Sequence, residues 1–283
     1  MHSTQILYGK PVADAILESV KPDVQRLNPK LVVVQVGDDP ASSSYIKQKL
    51  QSCEKVGMRH EHRHLDATVT REELFATIDA LNHDDDVTGF IVQLPLPSHL
   101  QSCVNEVIEA IDPRKDVDGF GTTNIGNVFL GVEREYLPPA TPSGVVSLLE
   151  FYNIDVEGKH VVIVGRSNIV GKPLAVMLLN RGATVTVCHS KTKNLAEITR
   201  QADILCAAVG KAKMITTSMV KEGAVIIDIG VSRVDGKLYG DADFDNLQCH
   251  VSSVTPVPGG VGPLTVASLI RNCVKAAKAR MYA

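Results

Sequence analysis

The chain has 283 residues, 44% of them hydrophobic and 22% charged, enough for one large or two medium cores, with two domains the better expectation. A formal net charge of -3 gives no electrostatic reason to expect nucleic acid or an anionic membrane as partner, and a small-molecule ligand fits better. The six cysteines (Cys53, Cys103, Cys188, Cys206, Cys249 and Cys273) are scattered without a C-x-x-C pair, so they read as reduced, mostly buried thiols of a cytosolic protein.

The opening stretch MHSTQILYGK has neither the apolar centre of a signal peptide nor the Arg-rich character of a transit peptide. No apolar run is long enough to span a bilayer, and the expectation is a soluble cytoplasmic chain. Internal repeats and low-complexity linkers are not seen.

Apolar runs alternate with helical patterns almost from end to end, the βαβα signature of an α/β fold with mostly parallel sheets covered on both faces. The first-half strands are LVVVQV (31 to 36), HRHLD (62 to 66) and GFIVQL (89 to 94). Between the first two, SSSYIKQKLQSCEKVG predicts a helix from Ser42, with Ile46, Leu50, Cys53 and Val56 on one face and Gly57 as the stop. The prolines of YLPPATPSG (136 to 144) interrupt the pattern, which restarts with Thr141 as helix cap and Pro142 in the first turn. A second doubly wound unit follows, with strands HVVIVG (160 to 165), TVTVCH (184 to 189), ILCAAV (204 to 209) and AVIIDIG (224 to 230). Pro263 to Met281 reads as a long closing helix that returns to the first domain. The domains are therefore 1–139 plus 261–283, and 140–260.

The segment GRSNIVGKPLA, after the strand at 160, places a turn and a helix start where α/β proteins bind phosphate. A P-loop needs G-x-x-x-x-G-K-[ST], but Gly165 and Gly171 are one residue too far apart and Lys172 precedes Pro173. A dinucleotide turn can use Gly165, Ser167 and Gly171 in order if the loop is slightly lengthened, and an ordinary tight βα turn stays open beside it. The next strand ends Cys188-His189-Ser190-Lys191 without the carboxylate that would hold a ribose 2′-hydroxyl. Arg166, Ser190 and Lys191 instead suit a 2′-phosphate, which points to NADP, unless these charges are simply solvated.

Tyr45 and Lys49, four residues apart, share a helix face with Ser42 a turn earlier, beside the apolar stripe and facing a groove. Alone, such a pair is most often surface decoration. Gln93 ends an apolar run, and Asp116 and Asp118 lie in DPRKDVDGF, which also reads as an Asp- and Gly-rich turn. His60, His62 and His64 alternate along one strand face, but lack a neighbouring ligand cluster, so no metal is expected.

SYIKQK, LNHDDDVTGFIVQLPLP, DVDGF, GRSNIVGKPLA, CHSKT and TPVPGGVGPLTVASL, in order over nearly the whole chain, closely resemble the bifunctional methylenetetrahydrofolate dehydrogenase/cyclohydrolase family. The resemblance implies an N-terminal α/β catalytic domain and a Rossmann-like NADP-binding domain with a cleft between them, and a homodimer. It implies NADP-dependent oxidation of 5,10-methylenetetrahydrofolate, then hydrolysis of the methenyl product to 10-formyltetrahydrofolate. By the same resemblance Lys49 activates water, Gln93 orients its amine, Tyr45 stacks on the p-aminobenzoyl ring, and Asp118 binds the amino edge of the pterin. Gly259, Gly260 and Gly262 would let backbone approach the substrate, while Gly165, Arg166, Ser167, Gly171, Ser190 and Gly230 would hold NADP, with Ser167 facing phosphate. Against the family pattern C-T-P-[KR]-G the chain has Ala140 and Ser143, and against D-[IV]-G-I-N it has Val231 and Ser232. Substrate-tail or cofactor affinity is where these departures would act. A single-activity dehydrogenase and a non-catalytic NADP sensor remain as alternatives.

Overall fold

The computed structural model describes residues 4–132 and 137–281, so Tyr136 of the boundary stretch lies outside the described residues. The chain forms two compact units, one of Met1–Asp14 and Thr141–Thr265, the other of Ala15–Ala140 and Val266–Ala283.

In chain order the first elements are β1 (Gln5–Ile6), α1 (Gly9–Leu27), β2 (Lys30–Val36), α2 (Pro40–Val56), β3 (Arg59–Leu65), α3 (Arg71–His83) and β4 (Gly89–Val92). After a 3-10 turn at Ser98–Cys103 come α4 (Val104–Glu109), α5 (Thr122–Leu130) and α6 (Ala140–Phe151). In the unit of Ala15–Ala140 and Val266–Ala283, β2, β3 and β4 form a parallel sheet in the order β3-β2-β4. The central strand β2 is apolar and buried on both faces, as its run of valines predicts. Val32, Val34, Phe90 and Val92 pack with Leu74, Ile78 and Leu81 of α3 into one core. Edge strand β3 carries the three histidines: His62 Nε2 meets Gln35 Oε1 at 2.9 Å, and His64 Nε2 meets Asp38 Oδ1 at 3.0 Å.

Helix α2 begins two residues before the expected start, because Asp39 caps it by accepting from Ser42 N at 2.7 Å and Pro40 supplies the first turn. It stops at Gly57, whose φ of 74° is the left-handed conformation of a C-cap. Helix α6 corrects the expected cap: it already includes Ala140 and Thr141. The Ala140 N–H donates to Asp118 O at 3.2 Å, and Thr141 Oγ1 pairs with Thr265 Oγ1 at 2.9 Å instead of capping.

The remaining elements are β5 (His160–Val164), α7 (Gly171–Leu179), β6 (Thr184–Cys188), α8 (Leu195–Thr199), β7 (Ile204–Ala207), β8 (Val225–Asp228), β9 (Ser232–Val234), β10 (Lys237–Tyr239), α9 (Phe244–Leu247), β11 (Ser253–Val254) and α10 (Gly262–Arg280). The unit of Met1–Asp14 and Thr141–Thr265 is built on a six-stranded parallel sheet, β1-β11-β8-β7-β5-β6, while α10 from Val266 onward belongs to the other unit. Strands β9 and β10 form a separate antiparallel hairpin. The core on one face of the large sheet joins Val162, Leu205, Ala207 and Ile226 to Leu247 and Val254. Of the free cysteines, Cys249 is exposed and the other five are buried, which fits the expectation of mostly buried thiols.

Phe90, on β4, is fully buried in the core that the smaller sheet forms with α3. Phe90→Ala is expected to lower unfolding free energy by about 3–5 kcal/mol, read from the midpoint of denaturant unfolding, because a ring-sized void is left in a close-packed core.

Candidate active site

Helix α2 presents Tyr45 and Lys49 one turn apart, but not as a pair of surface groups. Tyr45 is 37% exposed, whereas Lys49 is only 5% exposed. The ammonium reaches the end of β4, where Lys49 Nζ donates to Gln93 Oε1 at 2.9 Å. Gln93 is held at both ends, its Nε2 donating to Leu94 O at 2.7 Å and its backbone N–H to Val34 O at 2.8 Å. Burial pushes the Lys49 amine below the ordinary lysine range, and the charge of Asp118 acts in the opposite direction. Desolvation likewise raises Asp118 above the ordinary carboxylate range, with Lys49 opposing it and Asp116 adding to it. Lys49, Gln93 and Asp118 thus form one electrostatically coupled group.

The position of Asp118 is set by its surroundings. Asn272 of α10 donates from Nδ2 to Val117 O at 2.9 Å and to Pro138 O at 2.7 Å. Asp116, 2% exposed, accepts from Gly119 N at 3.0 Å, Gly121 N at 2.8 Å and Asn124 Nδ2 at 3.0 Å. The two aspartates that look alike in DVDG therefore differ in kind: Asp116 ties the turn together, and Asp118 is presented by it. Gly119 has a φ of 72°, and a Cβ there would lie 2.3 Å from Leu137 O. Sequence reasoning did not single out Asn272 or Asn124, since a lone Asn within a helical pattern carries no mark of what it will meet.

The dinucleotide turn lies in the other unit. Strands β5 and β7 are neighbours and β6 lies on the far side of β5, so the chain reverses its winding direction at the carboxyl end of β5. Gly165 has a φ of 133°, and a Cβ there would meet Ala208 O at 2.3 Å; one on Gly171 would meet Gly165 O at 2.2 Å. The turn is closed too tightly for any side chain at either glycine. Ser167 Oγ accepts from Val170 N at 3.1 Å and Gly171 N at 3.3 Å, which leaves its own hydroxyl proton to donate outward. Arg166, Ser190 and Lys191 are exposed at the carboxyl ends of β5 and β6. These residues fit a dinucleotide carrying a 2′-phosphate: tight glycines, an outward hydroxyl and cationic donors, with no carboxylate after β6. Gly230 follows β8 and donates from N to Ala207 O at 3.1 Å. The structure places Gly259 and Gly260 in this same unit, where Gly259 O accepts from Gly9 N at 2.8 Å and a Cβ on Gly260 would lie 2.5 Å from Pro256 O. Ser232, one of the departures, has a buried Oγ with no hydrogen-bond partner among the described residues.

A coupled lysine, amide and carboxylate in one α/β unit, and a tight dinucleotide turn in another, define the class of a two-domain α/β oxidoreductase with a nicotinamide cofactor. The chain belongs to the tetrahydrofolate dehydrogenase/cyclohydrolase family, residues 7–118 matching its catalytic domain and residues 139–281 its NAD(P)-binding domain. It is 49% identical to the bifunctional protein FolD of Campylobacter jejuni strain RM1221 over 98% of this chain and 99% of that protein. It is also 49% identical to the protein of the same description from Halalkalibacterium halodurans, over 98% of this chain and 99% of the relative. Among solved structures, the bifunctional FolD dehydrogenase/cyclohydrolase of Campylobacter jejuni superposes with a TM-score of 0.95 at 48% identity, covering 98% of this chain and 100% of that one. The Trypanosoma brucei enzyme, complexed with NADP cofactor and inhibitor, gives 0.93 at 34% identity, with 100% of both chains covered.

Gly119→Ala is expected to cost about 1–3 kcal/mol of stability and to raise the KM for folate substrate, since relief of the clash moves the turn bearing Asp118; thermal unfolding and steady-state kinetics measure the two effects. At the end of β8, Asp228 is 2% exposed and burial raises its carboxyl to about 7, despite N–H donors at Asp241 and Ala242. A folded value above the unfolded one means stability present at acid pH and lost as pH rises through about 7. Asp228→Asn should flatten that part of the stability profile, and NMR of the Asp228 carboxyl carbon should show a midpoint near neutrality.

Proposed function

We infer that this chain is a bifunctional enzyme of folate one-carbon metabolism: an NADP-dependent methylenetetrahydrofolate dehydrogenase and a methenyltetrahydrofolate cyclohydrolase. The observation that carries the residue assignment is the buried contact of Lys49 Nζ with Gln93 Oε1. Bound NADP supplies the acceptor for the hydride that leaves the methylene carbon of 5,10-methylenetetrahydrofolate. The protein's task in that step is alignment, because the two flanking nitrogens already stabilise the resulting methenyl cation. Asp118 accepts from the amino edge of the pterin and fixes its orientation, and the half-exposed ring of Tyr45 stacks on the p-aminobenzoyl group.

In the second step water adds to the methenyl carbon, one proton leaves, and a ring C–N bond opens to give 10-formyltetrahydrofolate. Lys49 takes that proton. A lysine ordinarily remains protonated at neutral pH, but burial lowers this one, and the cation of the substrate lowers it further. Gln93 Oε1 fixes the direction of the amine. In the other unit Gly165 and Gly171 admit the pyrophosphate to the backbone, Ser167 donates to phosphate, Arg166 and Ser190 hold the 2′-phosphate, and Gly230 after β8 meets the cofactor on the other side of β5. Gly259 and Gly260 keep the backbone bare where substrate approaches.

The enzyme works in the cytoplasm as a homodimer. No helix among the described residues is long and apolar enough to cross a membrane. The edge strand β6, with Val187 37% exposed, offers an unpaired sheet edge in the nucleotide-binding unit. Sedimentation equilibrium measures the assembly state.

Lys49→Ala is expected to slow hydrolysis of methenyltetrahydrofolate by about 10²- to 10⁴-fold, followed by loss of its absorbance. An undiminished rate would remove Lys49 from the mechanism. In the unmodified enzyme, hydrolysis should gain with pH along a limb whose midpoint lies below the ordinary lysine range, because the free amine is the base and burial favours it.

A further inference from the structure

The loop after β7 is organised by a carboxyl group that none of the assignments above uses. Asp241 is completely buried. Its Oδ2 accepts from Val209 N at 2.6 Å and Gly210 N at 3.2 Å, and its Oδ1 accepts from Lys211 N at 2.6 Å. Three consecutive backbone N–H groups therefore converge on one side chain. Asp241 is itself fastened, its N–H donating to Asp228 Oδ1 at 2.9 Å and its carbonyl accepting from Ile215 N at 2.8 Å. Two glycines make the room: a Cβ on Gly230 would lie 2.0 Å from Asp241 Oδ2, and one on Gly240 1.9 Å from Asp228 Oδ2. Such closely fitted and buried bonding fixes three successive peptide planes through one side chain.

The place of this loop gives the bonding a purpose. Ala208 N donates to Val164 O at 2.8 Å, and Ala208 O is the atom that a Cβ on Gly165 would strike at 2.3 Å. The loop thus abuts the dinucleotide turn, on the side of β5 away from β6. The donors suited to a 2′-phosphate include Ser190 and Lys191 beyond β6. A dinucleotide that straddles the reversal point and has its adenosine half at β6 lays its other half over β7 and β8.

We propose that Asp241 is a positioning residue for the nicotinamide half of the cofactor, holding the backbone of Val209, Gly210 and Lys211 as the surface on which that half rests. The inference depends on the reading of the Gly165 to Gly171 turn as an NADP site. Asp241 acts through the loop and touches no ligand. An Asn in its place keeps one acceptor oxygen but sets an NH2 donor against N–H groups that the other oxygen accepts from, and the loop must shift toward water to satisfy them.

The test uses the full chain and two probes: NADP, and 2′,5′-ADP, which carries the adenosine half alone. In Asp241→Asn, calorimetric titration should show NADP binding weakened about tenfold or more, with 2′,5′-ADP binding unchanged. In steady-state kinetics the KM for NADP should rise while that for the folate substrate stays in place. An equal loss for both probes would mean general damage to the unit and would overturn the proposal, as would undiminished NADP affinity. Should that variant fail to fold, the unmodified protein answers the same question by NMR. The amide resonances of Val209, Gly210 and Lys211 should move on addition of NADP and stay fixed with 2′,5′-ADP, and amides indifferent to NADP would refute the role. A wild-type chain that bound neither probe would instead overturn the dinucleotide reading itself, and Asp241's role with it.

Discussion

The interaction on which the catalytic unit depends is the removal of the Lys49 ammonium from water with one neutral oxygen, Gln93 Oε1, placed 2.9 Å away. Desolvating a lysine costs several kcal/mol unless partners compensate, and it moves the equilibrium toward the free amine. Gln93 and the charge of Asp118 offset part of that cost without returning the group to an ordinary titration range. The surrounding elements serve this balance. The Asp39 cap fixes the start of α2, and the hydrogen bonds of Gln93 at both ends keep its amide oxygen toward the amine.

A second regularity runs through both units: tight loops and a helix start are tied to aspartates. Asp39 holds the first turn of α2, Asp116 gathers Gly119, Gly121 and Asn124 around the turn that presents Asp118, and Asp241 gathers three consecutive amides after β7. Such bonds satisfy backbone donors that a tight loop removes from water, and a single side chain sets several peptide planes at once. Loops fixed before ligand arrives require less rearrangement when it binds, which favours pre-organised electrostatics and close positioning. The glycines at 119, 230 and 240 belong to the same arrangement, since a Cβ at each would strike backbone or carboxyl atoms within 2.3 Å.

Much of this is visible in the linear chain. The valine run of β2, the periodicity of α2 with Gly57 as its stop, and the strand, glycine turn and helix at 160 to 179 are local patterns, so their elements fall within a few residues of expectation. Membership of the family was legible from six ordered motifs. Other features were not. Strands β1 and β11 have two residues each and no periodicity of their own; they exist because β11 is bonded to β8 and β1 to β11 in one parallel sheet. The β9–β10 hairpin did leave a signal, Asp235-Gly236 between two short apolar-polar stretches, and both residues take positive φ, of 47° and 78°. Thr141 was a sound cap by composition, yet the Ala140 N–H found the carbonyl of Asp118, and the helix began earlier.

From sequence alone came the α/β class, the exclusion of a P-loop, the preference for a 2′-phosphate over a bare ribose, and the short roster of polar residues able to do chemistry. Only tertiary structure could divide the roles among them: Lys49 buried rather than solvated, Asp116 structural and Asp118 presented, and Ser167 accepting two loop N–H groups while it keeps a proton to give; it alone brought in Asp241, which the sequence had not marked. The physical reason is that a motif specifies which groups are within a few bonds of one another, whereas ionisation and hydrogen-bond satisfaction depend on groups that distant parts of the chain bring close and on the water they displace.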